Sequence, residues 1–143
     1  MSSIVQTQTT SFKAELYQGI HDLLTDTIKM ALYTASADLN ASTTAYSTAN
    51  EITGTGYSAG GQIMTGVSIN TSGYIAYVSF DNVIWTPAAF TTRCALIYNA
   101  SKANRAIAVL DFGSDKTAGA PSFSFTVQMP PNTATSALIR SSN

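Results

Sequence analysis

Only one histidine and one cysteine occur in this 143-residue chain, and charged residues make up 10% of it, where about a quarter is usual for a soluble protein. A single cysteine excludes an internal disulfide. One histidine and one cysteine are too few for the zinc sites that closed sets of such ligands build. The net charge of -1 supplies no basic field to draw in phosphates, so nucleic acid is not an expected partner. Long apolar runs are missing too. Nothing approaches the roughly 18 consecutive apolar residues of a membrane span, and no membrane partner is expected. The opening MSSIVQTQTT lacks a positively charged segment leading into an apolar run, so a secretory leader is not expected either.

What remains is a chain with 45% hydrophobic residues and a coat of Ser, Thr, Asn and Gln in place of charge. Its length suits one core. Residues 1–10 are polar, uncharged and aperiodic, which predicts a flexible N-terminal arm with Ile4 and Val5 as possible anchors. A single domain is expected over 11–143. Phe12, Leu16, Ile20, Leu23 and Leu24 fall at helical spacing, with Ser11 placed to cap, and predict one short helix despite Gly19. After Thr27 the period changes to two. Strands are expected at 28–33, 74–80, 93–99, 105–112, 122–129 and 136–140, with weaker candidates at 51–53 and 62–69. Turn residues such as Asn70-Thr71-Ser72-Gly73 and Pro130-Pro131-Asn132 separate them. Many short strands with no helices between predict a mainly β fold, an antiparallel β-sandwich or barrel of immunoglobulin-like or jelly-roll-like type.

The stretch GTGYSAGG, residues 54–61, carries two possible active-site signatures. From Gly54 it spells a dinucleotide fingerprint, which works only where a strand delivers the loop and a helix begins at its end. From Gly56 it spells the serine elbow, with Ser58 as nucleophile. That arrangement normally draws its histidine from later in the chain, whereas His21 comes earlier. Neither context is present in the sequence that follows. Gly54, Gly56, Gly60 and Gly61 are therefore read as structural, serving turns at a crowded sheet corner, and no catalytic residue or cofactor is assigned. His21, Asp22 and Asp26 are too few to close a metal site, and a hydrogen-bonded histidine near a helix end is expected instead. Asp111 and Asp115 are read as turn carboxylates, because the stretch lacks the ligand spacing of a calcium loop. Cys94, next to Ala95-Leu96-Ile97, is expected to be a buried, inert thiol. Trp85 is open to two readings, a surface contact residue or a core plug at a sheet edge. As a surface residue it would serve a protein interface or, with exposed tyrosines, a sugar-binding platform.

Taken together, SFKAELYQGIHD, DTIKMALYT, YSTANEITGTGYSAGG, a tryptophan ahead of TRCALIYNASKANRAIAVLDFGSDK, and finally FSFTV and ALIR resemble a family of small virion proteins of tailed bacteriophages. The resemblance runs from about Phe12 to Arg140 and implies a virion part, made in the host cytoplasm. Size and low charge favour a head decoration, or cement, protein on the capsid exterior. Its expected partners are the major capsid protein and copies of itself, with a trimer expected from shell symmetry. Ile4, Val5 and Trp85 are the candidate interface residues. A tail, neck or fibre-associated component is the alternative within the virion, and a carbohydrate-binding module is the alternative of another class.

Overall fold

A computed structural model describes residues 3–141; Met1 and Ser2 of the expected arm lie outside them. The chain forms β1 (Thr7–Gln8), α1 (Thr10–Tyr17), β2 (Ile28–Tyr33), β3 (Gln62–Ile63), β4 (Ser68–Ser72), β5 (Ile75–Ser79), β6 (Val83–Trp85), β7 (Phe90–Asn99), β8 (Arg105–Ala118), β9 (Phe125–Val127) and β10 (Ile139–Ser141). All of these strands pair antiparallel, in a five-stranded sheet of order β1-β8-β7-β2-β3, a three-stranded sheet β10-β5-β4 and a two-stranded sheet β6-β9. The result is a mainly β, sandwich-like fold with one short helix.

The middle of the large sheet is buried on both faces. Alternation along β2 sends Ile28, Met30 and Leu32 to the main core, where they meet Phe12, Ile97, Ile107, Trp85 and Phe90. Ala31 and Tyr33 go to the opposite face with Cys94, Leu96, Tyr98 and Val109, beneath Ala37 and Leu39 of the following loop. This double burial is why residues 94–98 of β7, CALIY, form an unbroken apolar run in place of a clean alternation.

Several boundaries differ from expectation. The helix stops at Tyr17, seven residues before Leu24, because Gly19 takes φ +72° just past its end, a left-handed position that favours glycine and terminates helices. Its cap is Thr9, not Ser11: the Thr9 hydroxyl accepts from the Phe12 N–H at 3.2 Å. Leu24 is left 57% exposed. The strand expected over 122–129 shrinks to β9, with Phe123 turned to φ +49° just before it. The candidate at 51–53 provides only an isolated bridge, Glu51 with Tyr33. β1 and β6 were not expected at all.

The N-terminal arm also departs from its prediction. Residues 3–8 do not hang free. Ile4 bridges Leu39 in parallel, the Val5 N–H donates to the Leu39 carbonyl at 3.0 Å, and Thr7 and Gln8 stand opposite Val109 and Ala108. A segment without charge or periodicity is ordered because the outer edge of β8 offers it main-chain partners.

Candidate functional site

The glycine stretch is a corner where backbone packs on backbone. No helix follows it; residues 56–61 turn and lead into β3. A Cβ on Gly56 would lie 1.7 Å from the Pro87 carbonyl oxygen, and one on Gly61 would lie 1.7 Å from that of Met30. Both have positive φ, so only glycine fits. Glu51 holds the corner from inside. Its Oε1 accepts from the Tyr46 hydroxyl at 2.7 Å, and its Oε2 accepts from the Tyr57 hydroxyl and from the Gly60 N–H at 2.8 Å. The Tyr98 hydroxyl donates to the Gly60 carbonyl at 2.6 Å, and Tyr98 stacks on Tyr46 with ring centres 4.7 Å apart. Burial pushes the Tyr98 phenol up to about 12, with the Glu51 charge adding to it. Burial and the bond to Glu51 likewise raise Tyr46 and Tyr57. Ser58 is exposed on this corner, and no hydrogen bond joins it to His21 among the described residues.

His21 is committed elsewhere. Its ring lies fully buried between α1 and the end of β7, with Nε2 2.8 Å from Glu15 Oε1 and Nδ1 3.0 Å from Asn99 Nδ2. Each ring nitrogen thus has one side-chain partner. The chain continues outward at both ends. Arg105 donates to Glu15 at 2.9 Å, while Asn99 donates to Asp26 Oδ2 at 2.8 Å and Lys102 donates to the same carboxylate. Burial alone would raise both carboxyl groups. The hydrogen bonds from Asn99 and Lys102 overcome it and bring Asp26 down to about 2, and His21 and Arg105 do the same in direction for Glu15. His21 and Asp26 are thus brought together through an amide, not as ligands, and Asp22 turns back to accept from the Leu24 N–H. Six residues from α1, the 18–27 loop and the β7–β8 hairpin form one polar tie. Sequence reasoning missed it apart from the bonded histidine. The available signal was Glu15, which follows Phe12 by three residues and so shares its inward face.

Trp85 is a core side chain. It is 1% exposed and packs against Tyr57, Phe90 and Phe125 at ring-centre distances of 6.1–6.5 Å. Its assignment as an interface residue is therefore corrected, and the sugar-platform reading loses its tryptophan. Ile4 is corrected too, since it packs half-buried against the second core cluster of its own domain. Val5, 50% exposed, remains on the surface. Cys94 is buried, and burial with the Asp111 charge pushes its thiol up to about 12, so the nucleophilic thiolate is disfavoured. Asp111 accepts from the Gly113 N–H at 2.8 Å, and its Oδ1 lies 3.4 Å from Arg93.

The features that face outward are strand edges. Each sheet ends in strands with one unpaired side, β1, β3, β4, β10, β6 and β9, and short β1 also leaves the outer side of β8 unpaired beyond Val109, where Asp111, Asp115 and Lys116 lie. Five of these six contain no charged residue, and β10 contains only Arg140. Large apolar side chains stand on several, including Ile63 at 60%, Ile84 at 49% and Ile69 at 44% exposure. Natural proteins guard such edges with charge or by keeping them short, because unpaired N–H and C=O groups template pairing with another chain; here the edges are short, and the longest of the six, β4, has 5 residues. No family model, curated protein or solved structure matches this chain. No helix among the described residues is long and apolar enough to cross a membrane.

Proposed function

We propose that this chain is a structural protein of a tailed-bacteriophage virion, a decoration protein that binds the exterior of the major capsid lattice and stabilises it. The observation that carries this reading is the set of uncharged open strand edges. Main-chain pairing and apolar contact along such edges join subunits without relying on ion pairs, which salt screens over about 8 Å at physiological ionic strength. The ionisable residues of the interior support it as well: Glu15, His21, Asp26 and Glu51 all hold elements of the fold together.

The test is the protein composition of purified particles. Band intensity scaled by mass is expected to place this chain at a copy number comparable with the major capsid protein, and a density map is expected to show it on the shell exterior. Few copies confined to one vertex would instead favour a tail or neck component. Absence from the particle would overturn the reading.

A further inference from the structure

The terminal strands of two different sheets, β1 and β10, line one cleft of about 480 Å³. Thr7 and Gln8 come from β1, Arg140 and Ser141 from β10, and Lys13 and Tyr17 from α1 above them. Among the described residues no strand pairs with both β1 and β10, so the large sheet and the three-stranded sheet are separate there. A second hollow of about 460 Å³ adjoins the cleft through Leu16 and Ser141, and adds the apolar surface of Ile69 and Ile139.

The charge in this cleft is of one sign. The chain has 7 Lys and Arg residues, and Arg93, Lys102 and Arg105 pair with carboxylates. Two of the remaining four, Lys13 and Arg140, lie together in a cleft that, among the described residues, no Asp or Glu lines. Arg140 makes only a 3.3 Å bond to the Ala134 carbonyl, and Lys13 has no ion pair among the described residues. Tyr17, 93% exposed, stands at the rim.

We propose that this cleft receives an extended strand from a partner protein, one whose side chains alternate acidic and apolar. Such a strand would find main-chain partners on the open edges of β1 and β10. Its carboxylates would meet Lys13 and Arg140, and the apolar groups between them would be left for the surface beside Leu16 and the adjoining hollow. A second copy of this chain is a poor source of it. Asp22, Asp38 and Asp81 lie outside its strands, and in β8 Asp111 is paired with Arg93 while Asp115 is followed directly by Lys116. The inference deepens the reading above by naming the chemistry of the partner segment on the shell.

The experiment titrates ¹⁵N-labelled protein with an octapeptide of alternating Glu and Val, against its Lys–Val counterpart. The Glu–Val peptide is expected to shift the amides of Thr7, Gln8, Arg140 and Ser141, and the Lys–Val peptide to leave them in place. The variant K13E/R140E changes exposed side chains only; it is expected to bind Glu–Val at least about tenfold more weakly, the effect of two ion pairs lost and reversed. K13Q provides a milder second variant with an intermediate loss. The proposal is overturned if those amides stay unmoved by Glu–Val, if both peptides shift them alike, or if K13E/R140E binds as the parent does. It is also overturned if the same amides broaden with protein concentration alone, which would assign the cleft to self-association. These results concern the isolated protein. Peptide binding with absence from particles would sink only the virion reading, and presence on particles without peptide binding would sink only the cleft.

Discussion

Trp85 joins Tyr57, Phe90 and Phe125 into the centre of the main core. Trp85→Ala is expected to cost about 3–5 kcal/mol, the range for emptying a buried aromatic position, measured by urea unfolding. Trp85→Phe should cost less, since the indole N–H has no hydrogen-bond partner among the described residues to lose. The glycines separate conformation from contact. A Cβ at Gly61 meets the Met30 backbone, whereas one at Gly73, with φ +59°, meets nothing within 4 Å. Gly73→Ala is expected to cost about 1–2 kcal/mol from its left-handed backbone alone. Gly61→Ala should cost clearly more in the same unfolding experiment, because the corner and β2 must move apart. Equal costs would refute the packing argument. Ser58→Ala, on the exposed side of the same corner, should leave stability within about 0.5 kcal/mol.

At the level of elements, β1 and α1 depend on one another through Thr9. That residue is fully buried, caps α1 through its hydroxyl, and donates its own N–H to the Ile107 carbonyl at 2.9 Å. Removing residues 1–10 is therefore expected to lower the melting temperature as well as any assembly, with loss of the cap alone costing about 1 kcal/mol. Circular dichroism on the truncated chain checks this, and an unchanged melting temperature would return the segment to the status of a free arm. The elements that the sequence displays with the least error in their bounds include those whose pattern is set by burial over six or more residues, as in β2 and β7. β1 and β6, with 2 and 3 residues, are too short to show a period, and their existence depends on partners far along the chain. The helix was overread because Leu23 and Leu24 continue its spacing beyond Gly19, although only Leu23 is buried.

For the molecule as a whole, acid and alkali act on different networks. Asp26 is held at about 2, below its ordinary value of 3.8, and Glu15 is lowered as well. Groups with depressed folded values add stability at neutral pH that is lost as pH falls through the interval between unfolded and folded values. Thermal unfolding should weaken from about pH 4 down to about pH 2, and Asp26→Asn should flatten that fall. Cys94 and Tyr98 are raised to about 12 from 9.0 and 10.0. Their contribution is complete below the lower figures and disappears as pH rises toward 12, so stability should decline from about pH 9 upward. The glycine corner was legible as a turn from GTGYSAGG, but its support by Glu51 and the tyrosines was not. Neither was the tie from Arg105 to Lys102, whose members are up to 90 residues apart in contact. Open edges are likewise invisible until strand order is known, because a short uncharged strand reads the same whether paired on one side or two. The enclosed position of the sole tryptophan has a practical consequence. Its emission should be blue-shifted in the native protein and move to the red only when the core opens, while a peptide seated between β1 and β10 leaves the spectrum alone. The molecule thus carries an intrinsic optical gauge that reports denaturation and stays blind to ligand.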